Sequence, residues 1–348
     1  MFDEESNENL LIKEPENESE PKCSQKIPQN KIKHLVISGG SVWGLYAFGA
    51  IFEAVTVGFL NIKDLKSMYL TSVGSIIGIM YSLGISETIL KDYFIKRPWE
   101  TVCKKSRCSV LEIYDNKGVI QNTFFENMFS PLLKSVDLTV DSTMMDLFLF
   151  NGIEIHIYTT ELNSFQLVDI SYKTHPDWRI VDAIHCSCSI PFIFSPMIKD
   201  GQCFLDGAFM LNYPIKKCIE NVGNNINEIL SISLGNKAPG SPSTIQLVDE
   251  QSNIFDLFQL LLHHLTDFYS KHIKKENVLL ENSNSVGGEK CVKNINIPFE
   301  ILFFSSLPTL EYCLNILYSK DERKSLIYNG INEMKKYLRI WFSDNQTE

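Results

Sequence analysis

The sequence lacks a long apolar run. No stretch of its 348 residues reaches the ~18 uninterrupted apolar residues that indicate a transmembrane helix. An apolar signal segment is also missing near the start of the sequence. We therefore expect an intracellular protein, either cytoplasmic or attached peripherally to a membrane.

An excess of basic residues is also missing. The chain has 32 Lys and Arg against 42 Asp and Glu, which gives a net charge of −10. Proteins that bind nucleic acid without sequence preference depend on clustered Lys and Arg to neutralise phosphates, so this class is excluded. Contact with a lipid surface would require apolar side chains or a local basic patch.

The nine cysteines show neither a regular framework nor the spacing of a zinc site. Metal ligands could be sought in two pairs, Cys186 with Cys188 and Cys103 with Cys108. Buried free thiols in a reducing compartment are the better interpretation of both pairs. We expect no metal and no cofactor.

Composition divides the chain into three parts. Residues 1–30 carry eight acidic and three basic side chains, which is typical of a disordered acidic tail. Residues 31–236 contain the apolar runs of a folded core. Residues 237–348 are mainly helical in pattern, and we expect this segment to pack on the core.

The core begins with alternating strand and helix patterns. The run HLVIS (34–38) predicts a strand, and WGLYAFGAIFEAV (43–55) has apolar residues at helical spacing. SMYLTS (67–72) and VGSIIGIMYSLG (73–84) repeat the pair, and IEIHIYTT (153–160) and EILSISLG (228–235) predict further strands. This order is typical of an α/β fold with three layers, in which helices cover both faces of a central, mostly parallel sheet.

Ser72 lies where the second strand gives way to the second helix. A serine that attacks a carbonyl must be held on a sharp strand-to-helix turn, with a base for its proton and donors for the oxyanion. Gly74 agrees with the G-x-S-x-G elbow, whereas Leu70 occupies the leading glycine position. Taken alone, Ser72 is better explained as a helix cap or a packing residue.

A glycine loop follows the first strand in SGGSVWG (38–44). Exposed amides of Gly39, Gly40 and Ser41 at the start of a helix could stabilise a carbonyl oxygen as it becomes negative. A tight turn without a ligand is the plain alternative. A dinucleotide site is disfavoured, because that pattern needs a glycine where Ser41 stands and an acidic residue about 20 positions further on.

Histidine does not supply an obvious base. His34 opens a strand, His156 lies within one, and His185 falls in a predicted helix. The stronger candidate is Asp206 in FLDGAFMLNYP (204–214), although aspartate before glycine also occurs in ordinary turns.

These three stretches together resemble the patatin-like phospholipase family. Gly39-Gly40-Ser41-Val42-Trp43-Gly44 is similar to the family's G-G-G-x-R/K-G oxyanion loop, and Leu70-Thr71-Ser72-Val73-Gly74 to its G-x-S-x-G elbow. Asp206-Gly207-Ala208 is similar to its D-G-G/A box, which is often continued by an Asn and a Pro, here Asn212 and Pro214. AIHCSCSIPFIFSP (183–196) resembles the segment that precedes this box. The resemblance covers residues 33–235.

The resemblance implies a lipid acyl hydrolase that cleaves fatty-acyl esters of phospholipids or other glycerolipids. Ser72 would be the nucleophile and Asp206 its partner in a dyad without histidine, acting through an acyl-serine intermediate. The family needs no metal. The predicted site consists of the elbow residues Thr71, Ser72, Val73 and Gly74, the oxyanion-loop residues Gly39, Gly40, Ser41 and Gly44, and the residues Asp206, Gly207 and Ala208.

Two departures from the family pattern favour a second hypothesis. Leu70 places a branched side chain where strand and helix should approach closely, and Trp43 replaces a positively charged residue beside the oxyanion loop. The alternative is a catalytically weakened or inactive lipid-binding protein on the same scaffold.

Two segments are candidates for transient contact with a membrane surface. In the first, basic residues surround Trp99, which favours an anionic headgroup layer, although a solvated loop explains the pattern equally well. The second has an apolar helical face, for which core packing is the competing interpretation. The residues concerned are Lys96, Arg97, Lys104, Lys105 and Arg107 in the first segment, and Leu261, Leu262, Leu265 and Phe268 in the second.

Overall fold

The computed structural model describes residues 32–106, 115–223, 225–236, 297–304 and 310–344, with isolated positions at 248, 249, 257, 260, 261, 264 and 308. The predicted acidic tail at 1–30 lies outside the described residues. Among the residues that are described, no helix is long and apolar enough to span a bilayer.

The strands and helices follow the alternation that the sequence predicts. The strands are β1 (His34–Ile37), β2 (Ser67–Thr71), β3 (Gly118–Ile120), β4 (Glu154–Glu161), β5 (Gln166–Ile170), β6 (Phe192–Phe194), β7 (Met197–Lys199), β8 (Gln202–Asp206), β9 (Ile229–Asn236) and β10 (Phe299–Phe304). The helices are α1 (Gly44–Thr56), α2 (Val73–Ser82), α3 (Glu87–Lys96), α4 (Trp99–Lys105), α5 (Thr123–Lys134), α6 (Met144–Asn151), α7 (Ile180–Cys188), α8 (Ala208–Leu211), α9 (Ile215–Val222), α10 (Leu310–Tyr318) and α11 (Lys320–Asp344).

One large sheet runs through the described part of the molecule. Its strand order is β10-β9-β1-β2-β4-β8-β7, and β5 also pairs with β4. The strands from β10 to β4 are parallel, whereas β5, β7 and β8 join by antiparallel pairing. The short strands β3 and β6 form a separate parallel pair. The prediction of a mostly parallel central sheet is confirmed.

Successive side chains of the central strands pack into two hydrophobic clusters, one on each face of the sheet. In β1, Leu35 and Ile37 join the larger cluster with α1 and α2, whereas Val36 faces the other side. Tyr69 of β2 and Tyr158 of β4 lie with Val36 on that second face, which α9 covers. Successive side chains of a strand point to opposite faces, so a strand buried on both faces is apolar throughout. This arrangement confirms the three layers.

The C-terminal segment differs from the predicted helical region, because it contributes β10 to the sheet itself. β10 pairs in parallel with β9 and extends the sheet by one strand. Its sequence FEILFF is rich in aromatic and β-branched residues, but parallel pairing between segments so far apart in the chain leaves no local turn signal. The division of the chain into domains stays a prediction.

Helix α11 packs closely along α1 at two glycines. A Cβ atom at Gly49 would lie 2.0 Å from the carbonyl oxygen of Ile327, and one at Gly330 would lie 2.1 Å from that of Tyr46. Only glycine permits this approach of the two backbones. The contact fixes the C-terminal helix beside α1, the helix that follows the glycine loop.

Arg323, a buried residue of α11, links α10 to α3. The guanidinium of Arg323 donates to the carbonyl oxygens of Phe94 and Ile95 in α3, at 2.9 Å each, and to those of Ile316 and Leu317 in α10, at 2.8 and 2.9 Å. A helix leaves its last carbonyl groups without intrahelical partners, and a cation at this end also favours the helix dipole. Arg323 thereby fixes the position of α10, which lies over the glycine loop.

We predict that Gly330→Ala lowers the free energy of unfolding by about 1–3 kcal/mol, because the added methyl group forces α11 away from α1. In an unobstructed helix the same change stabilises by about 1 kcal/mol. Thermal unfolding measures the difference. Asn329→Ala, at an exposed neighbouring position in α11, is the matched control and should be neutral or slightly stabilising. Equal stability of the two variants would contradict the close helix contact.

Candidate active site

The candidate site lies where β2 and β8 meet end to end beside β4. β2 pairs in parallel with β4 as far as Thr71 opposite Tyr158, and β8 continues antiparallel with Asp206 opposite Thr159. Because β5 occupies the other edge of β4 at these positions, β2 and β8 share one edge. Their opposite directions bring both carboxyl ends to the same point, so Ser72 and Asp206 become neighbours.

Ser72 occupies a sharp turn between β2 and α2. Its backbone angles are φ 53° and ψ −128°, a conformation that a non-glycine residue adopts only under strain of about 1–3 kcal/mol. Helix α2 approaches β1 so closely that a Cβ atom at Gly74 would lie 2.5 Å from the carbonyl oxygen of Ile37. Ser72 therefore lies on an elbow, and Gly74 allows the close approach that the elbow needs.

The structure explains how Leu70 occupies the leading glycine position of the elbow. Its side chain is fully buried and lies over Gly78 of α2. A Cβ atom at Gly78 would lie 2.5 Å from Cδ1 of Leu70. Gly78, one turn after Gly74, therefore leaves space for the Leu70 side chain. Leu70 fits there without separating β2 from α2.

The hydroxyl of Ser72 donates a hydrogen bond to the carboxylate of Asp206. The distance from Ser72 Oγ to Asp206 Oδ2 is 2.5 Å, and the amide of Ala208 donates to Asp206 Oδ1 at 2.8 Å. The two side chains are 5% and 3% exposed, respectively. Burial raises the pKa of Asp206 to about 6, although the hydrogen bonds from Ser72 and Ala208 act in the opposite direction.

Gly207 and Thr71 tie the aspartate segment to the sheet. A Cβ atom at Gly207 would lie 2.1 Å from the carbonyl oxygen of Tyr158, so any larger residue would displace the turn after Asp206. The hydroxyl of Thr71 donates to the carbonyl oxygen of Leu211 at 2.9 Å. These contacts hold β8 and α8 against the end of β2.

The glycine loop lies against Ser72, but not all of its amides can be donors. The amide of Gly39 already donates to the carbonyl oxygen of Asn212 at 3.0 Å, and that of Gly44 donates to the carbonyls of Ser41 and Val42. Each of these two amides therefore already has a backbone acceptor in the structure. Among the described residues, no backbone acceptor is found for the amides of Gly40 and Ser41, so these two are the better placed donors of the predicted oxyanion hole, which stays a prediction.

The glycines of the loop set its distance from the elbow. A Cβ atom at Gly39 would lie 3.1 Å from Cβ of Ser72 and 2.5 Å from Oδ1 of Asn212. A Cβ atom at Gly40 would lie 2.5 Å from Cβ of Leu234. Ser41 has a positive φ of 51°, which turns the chain from β1 into α1. The loop is thus held between β9 and the nucleophile elbow.

Trp43 belongs to an aromatic column rather than to a charged site. Its ring stacks on Tyr46 at 5.4 Å and packs against Tyr312 of α10 at 5.5 Å. Ser41 Oγ lies 3.6 Å from Sγ of Cys313, also in α10. Sequence reasoning did not identify α10 as part of the site, because these contacts join segments about 270 residues apart.

The described histidines of the core bond to partners other than the dyad. His34 Nδ1 contacts Ser67 Oγ at 2.7 Å, His156 lies between Asp169 and Glu154, and His185 Nε2 donates to the carbonyl oxygen of Ser195 at 2.7 Å. Within the described ranges, no group of three or more His, Cys, Asp or Glu residues is arranged to hold a metal ion.

The first predicted membrane contact does not have the expected geometry. Trp99 is buried, with 3% of its surface exposed, and its Nε1 donates to the carbonyl oxygen of Phe94. Arg97 covers this ring. Trp99 is therefore not available to a headgroup layer, because the ring packs between α3 and α4; a membrane contact through the basic residues of this segment stays one of the two interpretations. Of the second segment, Leu261 is half exposed, and Leu262, Leu265 and Phe268 lie outside the described residues, as does Arg107.

The described residues thus form an α/β fold in which Ser72 and Asp206 meet at one edge of β4. The family model of patatin-like phospholipases matches residues 35–219, more than half of the chain. The chain therefore belongs to the patatin-like phospholipase family, and it is a lipid hydrolase of that family.

The chain is also similar to individual known proteins. The uncharacterized protein R571 of Acanthamoeba polyphaga mimivirus is 25% identical over 268 residues, which cover 75% of this chain and 86% of the relative. The probable lipid hydrolase 463L of Invertebrate iridescent virus 6 is 23% identical over 191 residues, which cover 54% of this chain and 63% of 463L. The chain thus spans less than two thirds of 463L. The crystal structure of VipD from Legionella pneumophila has 16% identity and a TM-score of 0.49, covering 90% of this chain and 67% of VipD.

We predict that Leu70 and Gly78 are energetically coupled. Gly78→Ala should destabilise the protein by about 1–3 kcal/mol, because its methyl group meets the Leu70 side chain, and Leu70→Ala should cost about 2–5 kcal/mol as a cavity. The double variant should lose less than the sum of the two, by about 0.5–3 kcal/mol. Denaturant unfolding of all four proteins measures this coupling. Strict additivity would show that Gly78 does not make room for Leu70.

We predict that Asp206→Asn stabilises the protein at pH 7.5 by about 1–3 kcal/mol while removing activity. The folded protein holds a proton on Asp206 up to about pH 6, whereas an unfolded aspartate loses it near 3.8. As the pH rises through this range, the free energy of unfolding of the wild type therefore decreases, because the folded protein keeps a proton that the unfolded chain has already lost. The asparagine variant has no such proton, and its stability does not decrease in this way. Thermal unfolding at pH 7.5 and 4.5 tests this. A difference between the two proteins that does not shrink at the lower pH would contradict the burial of a charged Asp206.

Proposed function

We propose that the protein cleaves fatty-acyl esters of phospholipids or other glycerolipids through an acyl-Ser72 intermediate, with Asp206 as the base. The observation that carries this proposal is the 2.5 Å hydrogen bond from Ser72 Oγ to Asp206 Oδ2. It joins a strained elbow serine to a carboxylate that is itself almost completely buried. The lipid substrate is supported by the family and by the similarity to the probable lipid hydrolase 463L.

In the first step, Ser72 Oγ attacks the carbonyl carbon of the ester while its proton passes to Asp206 Oδ2. The carbonyl oxygen becomes negative, and the amides of Gly40 and Ser41 are the proposed donors to it. Collapse of this intermediate breaks the bond to the alcohol, which leaves with the proton from Asp206. Water then attacks the acyl-serine in the same way, and the fatty acid is released.

The raised pKa of Asp206 makes the carboxylate a better base. An aspartate with an ordinary pKa of about 3.9 has little tendency to take a proton from a serine hydroxyl. Burial brings the pKa of Asp206 to about 6, so the carboxylate is ionised at neutral pH and accepts a proton more readily. Activity should fall as the pH decreases below about 6, because protonated Asp206 cannot act as the base.

The departures from the family pattern leave the reacting atoms in place. Leu70 fits over Gly78, and the ring of Trp43 packs against Tyr46 and Tyr312. These observations favour catalysis over the alternative of an inactive lipid-binding protein. Since the substrate lies in a bilayer, we also propose transient contact of the protein with a membrane surface.

We predict that a fluorophosphonate labels Ser72 and that Ser72→Ala abolishes labelling and acyl release. Asp206→Ala should lower both by at least about 10³-fold, because the nucleophile loses its base. Labelling rates, peptide mass spectrometry and fatty-acid release from phospholipid vesicles measure these effects. Ser82→Ala is the control, since it removes a buried hydroxyl of α2 whose one bond among the described residues is to the carbonyl oxygen of Ile79.

Intact folding of each variant is checked by thermal unfolding. A folded wild-type protein that is neither labelled nor active would contradict the hydrolase mechanism and support the lipid-binding alternative. Labelling at another serine, with activity retained in Ser72→Ala, would place the chemistry elsewhere in the chain.

A further inference from the structure

The end of α7 contacts the nucleophile elbow through one buried hydroxyl. Ser187 Oγ accepts a hydrogen bond from the backbone amide of Ser72 at 2.8 Å and donates one to the carbonyl oxygen of Tyr158 at 2.6 Å. Ser187 has no exposed surface. A single side chain thus joins the elbow to β4, the strand that β2 and β8 share.

The backbone at the end of α7 also bonds to the segment that contains Asp206. The carbonyl oxygen of Ser187 accepts from the amide of Gly207 at 3.2 Å, and that of Ser189 accepts from the amide of Asp206 at 3.0 Å. Residues 187–189 therefore contact the segments on both sides of the dyad. The hydroxyl of Ser187 is the part of this connection that a substitution can remove without changing the backbone.

The strained conformation of Ser72 needs such an anchor. A residue at φ 53° and ψ −128° relaxes unless its surroundings fix both of its peptide groups. Ser75 fixes the carbonyl oxygen of Ser72, through its amide at 2.8 Å and its hydroxyl at 2.6 Å. Ser187 fixes the amide of Ser72, and it is anchored outside α2, so it sets the elbow relative to the rest of the sheet.

We propose that Ser187 is a positioning residue, whose hydroxyl holds the Ser72 elbow in the geometry that directs Oγ at the Asp206 carboxylate. It does not act on the substrate. The inference rests on the proposed function of Ser72 and Asp206, since it explains how their contact is maintained.

Removal of the Ser187 hydroxyl leaves two polar groups without a partner. The amide of Ser72 and the carbonyl oxygen of Tyr158 lose the hydrogen bonds that Ser187 makes to them at a position with no exposed surface, and the elbow can then rotate toward an ordinary backbone conformation. A displacement of about 1 Å at a reacting atom lowers a rate by about 10²-fold. The loss should appear in the chemical step, because substrate binding does not depend on this contact.

The test compares Ser187→Ala with Ser187→Thr, which keeps a hydroxyl, and with the buried-hydroxyl control Ser82→Ala. We expect Ser187→Ala to lower the rate of fluorophosphonate labelling and kcat by about 10–10²-fold with little change in KM. Ser187→Thr should restore most of the rate, and Ser82→Ala should resemble the wild type. Thermal unfolding establishes that each protein is folded at the assay temperature.

The pH profile separates positioning from a general loss of stability. The hydrogen bond from Ser72 lowers the pKa of Asp206, so an elbow that moves away should shift the acid limb of kcat/KM to higher pH. This shift is expected for Ser187→Ala and not for Ser82→Ala. If Ser187→Ala does not fold, Ser187→Cys takes its place, since a thiol fills the space but is a weak hydrogen-bond partner.

The outcomes distinguish this inference from the proposed function. A folded wild-type protein without labelling would overturn the proposed function. Labelling of the wild type together with an unchanged rate and pH profile in Ser187→Ala would overturn the role of Ser187 alone. A rate loss that Ser82→Ala shares equally, or that Ser187→Thr does not relieve, would also overturn it.

Discussion

The arrangement depends on one constraint, which is that β2 and β8 pair with the same edge of β4 in opposite directions. Because β2 and β8 run toward each other along this edge, their carboxyl ends face each other. They meet opposite Tyr158 and Thr159, two consecutive residues of β4. Ser72 and Asp206 are the residues at that point. They lie 134 positions apart in the sequence, and the backbone ladder of β4, which lies between them in the chain, brings them to hydrogen-bond distance.

The burial that stabilises this meeting point also determines its chemistry. A carboxylate with 3% exposure is held in a less favourable environment than water provides. The two hydrogen bonds from Ser72 and Ala208 offset part of this cost, and the rest appears as a raised pKa. The strained backbone of Ser72 is a second local cost. Both are maintained by the surrounding sheet and α7, so the site combines a reactive pair with a rigid support.

The sequence predicted the strands and helices from β1 to α2 well, because their apolar residues follow regular periods and glycines mark their ends. Ser72 and Asp206 were identified because three ordered motifs resemble one family. The sequence could not show that the amides of Gly39 and Gly44 bond to Asn212 and to the preceding turn, because the folded structure determines which acceptor each backbone amide finds. Strand β10, the cover formed by α10 and the bond from Ser187 to the elbow also depend on distant segments. Local patterns carry no signal for these features.

The most direct measurement of the central claim is a crystal structure of the protein after reaction with a fluorophosphonate. The account predicts phosphorus bonded to Ser72 Oγ, a phosphonyl oxygen within hydrogen-bond distance of the amides of Gly40 and Ser41, and the Asp206 carboxylate beside the adduct. An adduct on another residue, or a phosphonyl oxygen directed away from the glycine loop with Asp206 out of reach, would contradict it.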